Sequence, residues 1–194
     1  MEWFHLIEED KRERSHDSLA SSREIQSAFA QQRDDLKWIA LLITGDQVLA
    51  DQAVISASGL STSYSTAFRD WLAGWTKSAT VRTAVREVRD LIYASASCYT
   101  NSSCENPDCD VFSNGQIASL RHVNPQDIIA ALDPLARSAL VLRGIHHLSI
   151  ADCAVLLDMP PRIVAAAYCQ AFRWNNQRAD THRTPNQGKT SSQL

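Results

Sequence analysis

The sequence predicts an all-α protein of two helical bundles joined by a flexible linker, the second bundle containing a helix-turn-helix. Three observations predict this. Glycine and proline number six each in 194 residues, so few breakers interrupt long segments. Apolar residues recur at three and four rather than at two, which is the helical period. A stretch without any period, SCYTNSSCENPDCDVFSNG at 97–115, separates two periodic halves.

The boundaries that follow are a mobile segment at 1–20, a first bundle at 21–95, a linker at 96–123, a second bundle at 124–174 and a disordered tail at 175–194. Ser21 and Glu24 form an S-x-x-E capping box, which satisfies two backbone N–H groups reciprocally. Ile25, Phe29, Leu36, Ala40 and Ile43 then supply one apolar stripe, and Gly45 ends that helix. A second helix is expected from about Val48 to Ala57, with Gly59 after it and the polar connection STSYST at 61–66. The longest periodic segment carries Phe68, Trp71, Leu72, Trp75, Val81, Val85, Val88 and Ile92. It reads as one helix, or as two with a break near Gly74 or Thr80.

In the second half, Asn124-Pro125 and Asp133-Pro134 each place a capping residue before a proline at the first helical position. Ser149 with Asp152 is another capping pair, and Pro160-Pro161 starts the last helix. The turn Leu157-Asp158-Met159-Pro160 has the length that a helix-turn-helix uses. Ile150, Ala154 and Leu157 would pack the supporting helix, and Ile163, Val164 and Ala167 would hold the second helix against it. In such a motif the second helix enters the DNA major groove with its N-terminal residues foremost.

The net charge of −3 is not that of a generic nucleic-acid binder, so DNA contact requires a local patch. No apolar run approaches the roughly 20 residues that span a bilayer. The opening MEWFHLIEEDKRER lacks the apolar core and cleavage site of a signal peptide. A cytoplasmic protein with no membrane association is expected, and its five cysteines are then expected to be thiols.

Residues 127–172, DIIAALDPLARSALVLRGIHHLSIADCAVLLDMPPRIVAAAYCQAF, resemble the C-terminal, promoter-reading domain of bacterial sigma factors of the extracytoplasmic-function group. Leu132, Arg137, Val141-Leu142-Arg143, Leu148-Ser149, Ala154, Leu156-Leu157, Val164 and Ala171 fall in register with that family's pattern without a gap. Asp152 takes the family's Glu position. In the first half LLITGDQVLADQAV resembles the family's "LLGD-x-x-x-A-E-D-L-V", through Leu42, Gly45-Asp46, Ala50-Asp51 and Val54. FRDWL at 68–72 resembles "F-R-A-W-L". The resemblance covers about residues 24–174.

The resemblance implies two partners, core RNA polymerase and promoter DNA. An anti-sigma factor is a further candidate partner. Polymerase would dock on Asp46, Asp51, Gln52 and Ile55. The minus-ten element would face Trp71, Lys77, Arg82, Arg86 and Arg89. The minus-thirty-five element would face Arg162, Ala165, Ala166, Gln170 and Arg173 on the last helix.

The chain also departs from the family. The family's basic "K-S-R" aligns with Ala165-Ala166-Ala167, and a later basic position aligns with Gln170. The family's "Q-E" aligns with Ile55-Ser56, and the aromatic after it with Ser58. Residues 128–172 hold Arg137, Arg143 and Arg162 against Asp133, Asp152 and Asp158, so they carry no net charge. Removing two or three phosphate contacts costs on the order of several kcal/mol. Against this, Arg82, Arg86 and Arg89 lie at i, i+4 and i+7 beside the apolar Val81, Val85 and Val88, and Lys77 lies about one turn before them. A solvated face is the plain alternative for that stripe.

Other motifs are weaker. Cys98, Cys104 and Cys109 with His122 miss the paired spacing of a zinc site, except between the last two cysteines. The same segment suits a redox-sensing thiol by exposure, but nothing near it lowers a thiol pKa. Cys153 and Cys169 read as small buried residues, and His146-His147 as a turn or helix end. Trp38, Trp71 and Trp75 read as core, with Trp71 open to a DNA-facing role. No phosphate-binding glycine loop and no hydrolase or metalloprotease motif is present. Neither catalytic residues nor metal nor cofactor are therefore expected. The runner-up to a sigma factor is a degenerate sigma-like module, a decoy or modulator that binds polymerase or an anti-sigma factor and no longer reads DNA. A stand-alone helix-turn-helix regulator is a third alternative, disfavoured by the sigma-like first half.

Overall fold

The structure, a computed structural model, describes residues 19–64, 69–100, 120 and 123–183. Among these the protein is all-helical, with no strand beyond an isolated bridge position at Leu19. The chain divides into two compact units, Met1–Arg89 and Asp90–Leu194.

In the first unit α1 spans Ser22–Gln31, α2 Arg33–Thr44 and α3 Gln47–Tyr64. A 3-10 turn, Arg69–Trp71, leads into α4, Leu72–Glu87. The Glu24 N–H donates to Ser21 Oγ at 3.3 Å, and the Ser21 N–H donates to Glu24 Oε2 at 2.8 Å. The single helix expected between Ser21 and Gly45 is two. The chain leaves helical dihedrals at Gln32, whose side-chain amide donates to Thr76 Oγ1 of α4 at 3.2 Å. No glycine or proline marks that break, because a tertiary contact holds it. Gly45 does end α2, at φ 71°, with its N–H donating to Leu41 O at 2.8 Å.

The second helix runs well past Ala57. Gly59 is exposed and leaves open space where a Cβ would sit. An exposed glycine costs a helix only about 1 kcal/mol. Ala50, Ala53, Val54 and Ala57 are buried on the other face and hold α3 in place. Residues 61–64 of the expected polar connection are therefore helical. Phe68 and the rest of that connection lie outside the described residues. The long periodic segment breaks at Val88 rather than at Gly74 or Thr80. Ile25, Leu36, Ile39, Leu42, Ile43, Ala84 and Val85 form the core of this unit.

In the second unit α5 (Arg89–Ala96) runs into a 3-10 turn, Ser97–Tyr99. α6 spans Pro125–Ala131 and α7 Pro134–Ala139; a π-helical segment, Leu140–Ile145, follows. α8 spans Ile150–Leu157 and α9 Pro161–Arg183. Asn124 caps α6 and Asp133 caps α7. Ile128, Leu135, Leu140, Val164, Ala167 and Tyr168 are core, and α9 packs mainly on α7 and then on α8.

Three expected boundaries move. The first compact unit stops at Arg89, before the expected 95. The start of the expected linker is ordered, because Tyr99 is buried. Leu120 is buried too, while 101–119 lie outside the described residues. The expected tail begins as helix: α9 continues to Arg183 because Asn175 is buried and Arg178 bonds Asp127 at 3.2 Å. The Arg178 guanidinium also lies 5.7 Å from the Trp174 ring centroid. Residues 1–18 and 184–194 lie outside the described residues.

Candidate functional site

The outer face of α3 carries two exposed apolar side chains, Val48 and Ile55. Val48, Gln52, Ile55 and Gly59 recur at helical spacing and are all exposed. Val48 is 72% exposed and Ile55 69%, high values for β-branched side chains on a packed helix. Asp51 flanks this face and takes an ion pair from Lys37 at 2.6 Å. The hydrogen bond from Lys37 holds the Asp51 carboxyl below its ordinary value of 3.8. Asp46 has a local structural task. Its Oδ1 accepts from the Val48 N–H at 2.7 Å and the Leu49 N–H at 2.9 Å, so it caps α3. Val48 was missed in the sequence. The signal that finds it is its four- and seven-residue spacing to Gln52 and Ile55, opposite the buried Ala50, Ala53 and Ala57.

The expected basic stripe is only partly one face. Arg82 and Arg86 are exposed on α4 one turn apart. Arg89 is also exposed, but the break at Val88 puts it on α5 rather than on the α4 face. Lys77 is half-buried. Among the described residues Arg86 has one ion-pair contact, to Glu87 at 3.9 Å. Trp71, 73% exposed at the start of α4, is no core residue; Trp38 and Trp75 are half-buried.

In the second unit α8 and α9 are joined by a three-residue turn. Ser149 Oγ accepts from the Asp152 N–H at 3.0 Å and donates to Asp152 Oδ2 at 2.5 Å. Asp158 takes a left-handed conformation at φ 55°, and the Met159 N–H donates back to Ala154 O at 3.0 Å. That bond closes the helix end in Schellman fashion. Tyr93 donates to Asp158 Oδ2 at 2.7 Å. Pro160 O then accepts from the Ile163 and Val164 N–H groups, which starts α9.

The side chains of α9 correct two of the expected DNA contacts. Ala166 is only 6% exposed, because α9 turns that face into the unit's core. Gln170 is exposed, but its amide is bonded to the buried Tyr99. Ala165 is half-buried, and the exposed cations of α9 nearest its start are Arg162 and Arg173.

Cys169 is also corrected: it is buried as expected, but disulfide-bonded rather than a thiol. Composition alone cannot pair cysteines distant in sequence. Cys98 and Cys153 are thiols, and burial pushes the Cys153 thiol up to about 11. Among the described residues no group of three or more His, Cys, Asp or Glu side chains can hold a metal ion. Cys104, Cys109 and His122 lie outside those residues. No described helix is long and apolar enough to cross a membrane. No protein-family model, curated protein or solved structure matches the chain.

Proposed function

We propose that this is a sigma-factor-like transcription initiation protein of the cytoplasm, which binds core RNA polymerase and directs it to promoter DNA. The observation that carries the proposal is the α3 face. Val48 and Ile55 stand exposed on one side of a helix whose other side is core. Apolar side chains presented in that way are what a partner buries. The segment is the same one whose sequence resembles the polymerase-docking part of the extracytoplasmic-function group. Gln52 and the Asp51–Lys37 pair supply the polar edge. Arg82, Arg86, Arg89 and the exposed Trp71 offer charge and stacking area to the minus-ten element. The α8–turn–α9 arrangement offers Arg162 and Arg173 to the minus-thirty-five element. The work done is recruitment and strand separation, with no covalent catalysis.

One observation favours a second reading. Ala166 is buried and Gln170 is held by Tyr99, so α9 has few side chains left to read bases. The chain would then be an interaction module, binding polymerase or an anti-sigma factor without reading DNA. Core polymerase pull-down followed by in vitro transcription separates the two. Ile55→Asp abolishes capture under both readings. Arg86→Glu and Arg162→Glu abolish promoter-specific transcription only under the first. Failure of the wild-type chain to bind core polymerase overturns the first reading and leaves the second only its anti-sigma form.

A further inference from the structure

A groove of about 460 Å³ lies in the first unit, lined by Ala57 of α3 and by Trp75, Ser78, Ala79, Arg82, Thr83 and Arg86 of α4. That volume suits a small organic molecule rather than a lone ion. Three features of the lining narrow its chemistry.

First, the groove is cationic. Arg82 and Arg86 sit at i and i+4, so their Cβ atoms are about 5–6 Å apart and both guanidiniums can reach one anionic group. Among the described residues no carboxylate closes an ion pair on Arg82, and Arg86 has only the loose contact to Glu87 at 3.9 Å. Among the described residues the groove lining contains no Asp or Glu. A cationic ligand is thereby excluded, and a phosphate is favoured for its fork-like match to guanidinium.

Second, one wall is aromatic. Trp75 precedes Arg82 by two helical turns on the same face of α4. The indole and the two arginines thus line one continuous groove. An aromatic ring stacked on Trp75 would have its substituent directed at the arginines.

Third, the rest of the lining is small or hydroxylated. Ala57 and Ala79 leave room for a flat ring. The Thr83 hydroxyl already donates to Ala79 O at 2.9 Å, so toward a ligand it is an acceptor. Ser78 adds a second hydroxyl. Together these offer polar edges of the kind a base or a ribose pairs with.

We propose that this groove binds a free nucleoside phosphate, with the base against Trp75 and the phosphate between Arg82 and Arg86. The proposal does not rest on the chain being a transcription factor. It does involve two arginines assigned above to promoter DNA, so a bound nucleotide would compete for them.

Isothermal titration of the full chain tests it, with AMP, GMP, adenosine, inorganic phosphate and a short single-stranded oligonucleotide as the injected species. AMP or GMP should bind at one site, and adenosine and inorganic phosphate each about tenfold or more weaker. Arg82→Ala and Arg86→Ala, both exposed and so harmless to the fold, should each weaken nucleotide binding by about tenfold, the scale of one charged hydrogen bond. Trp75→Leu should lower the affinity for AMP to that for inorganic phosphate. Absence of AMP and GMP binding at millimolar concentration overturns the proposal. So does equal binding of inorganic phosphate, or full affinity in the Arg82→Ala, Arg86→Ala double variant. Binding of the oligonucleotide without binding of AMP or GMP also overturns it, while leaving the promoter-reading function intact.

Discussion

Gln170 Oε1 lies 2.6 Å from the Tyr99 hydroxyl, which also contacts Asp133 Oδ2. Three elements of the second unit meet at this one phenol: the 3-10 turn after α5, the cap of α7, and α9. A phenol has one proton to give, so both contacts are satisfied together when the Gln170 amide presents its Nε2 to the phenol oxygen. Burial, and then the Asp133 carboxylate, push the Tyr99 hydroxyl far above its ordinary value, so it stays protonated. Tyr99→Phe leaves the half-buried Asp133 carboxylate without that donor. The expected loss is about 1–3 kcal/mol, the cost of an unmet buried polar group. Urea unfolding followed by far-UV circular dichroism would show it as a lower midpoint at unchanged slope.

Arg137 is a second internal clamp. It is buried, and its Nη1 donates to Leu132 O at 2.8 Å and to Ile129 O at 3.4 Å. These are carbonyls at and beyond the end of α6, where backbone acceptors lack helical partners. Arg137→Met retains the apolar stem but removes the donor. It should destabilise the unit by about 1.5–3 kcal/mol, the range for one charged hydrogen bond. Arg137→Lys should recover only part of that, because its stem is one bond shorter and its ammonium falls short of the carbonyls that Nη1 reaches. A thermal melt of the three proteins orders them wild type, Lys, Met. Any other order sinks the clamp.

These clamps show what was legible in the sequence and what was not. Local signals were legible. Ser21 with Glu24, Gly45, Asn124-Pro125, Asp133-Pro134, Ser149 with Asp152, and Pro160 each act through neighbours within a turn, and each stands where local chemistry puts it. Features decided across the fold were hidden. The break at Gln32 depends on Thr76, and the ordering of Tyr99 depends on Asp133 and Gln170. The continuation of α3 through Gly59 depends on buried alanines. The inward turn of Ala166 depends on α9 having core on most of its circumference, and an alanine fits an exposed face as well as a buried one. Of the candidate sites, the α3 face was half legible. Ile55 and Gln52 stand exposed beside Val48, which the family pattern does not single out, and Asp46 caps the helix that carries all three.

Acid should loosen the first unit through two carboxylates. The Ser21 capping bonds lead in holding Glu24 below its ordinary value of 4.5, with Arg69 adding to them; Lys37 does the same for Asp51 from 3.8. Both folded-state values are depressed. Their stabilising effect is therefore present above the unfolded values and is lost as pH falls through the folded ones. Stability should be flat on this account near neutral pH and should decline below about pH 4.5. Glu24→Gln should flatten part of that decline without altering the neutral plateau's shape. An unfolding midpoint measured every half unit from pH 7 to pH 3 checks it. An unchanged acid limb in Glu24→Gln removes Glu24 from the account.

The two thiols should differ in reactivity. Cys98 is exposed, whereas Cys153 is buried with its thiol pushed up to about 11, mainly by burial. The thiolate is the nucleophile, so Cys153 has neither access nor charge at pH 8. Iodoacetamide should alkylate Cys98 in the native protein and Cys153 only after denaturation, as read by peptide mass mapping. Equal native labelling of the two would show that α8 opens readily.

The proposed promoter contact on α9 makes separate demands on residues that differ little in sequence position. Removing one Lys or Arg that neutralises a phosphate lowers the slope of log affinity against log salt by about one. Arg162 and Arg173 are exposed, so Arg162→Ala and Arg173→Ala should each weaken binding across all DNA sequences and flatten that slope. Gln170→Ala should leave both the slope and the base preference unchanged, because its amide is turned to Tyr99 rather than to a base. Ala166→Lys is the informative addition of charge. Ala166 aligns with the serine between the family's two basic positions, where an added lysine would be expected to improve DNA affinity, yet here Ala166 is buried, and a lysine must either force its way into a packed core or push α9 away from α7. Stability should fall and DNA affinity should not rise. Fluorescence anisotropy against a promoter duplex at four salt concentrations, held beside a melt of each variant, reads both quantities. A gain in affinity with Ala166→Lys at unchanged stability would mean that this face of α9 is open after all.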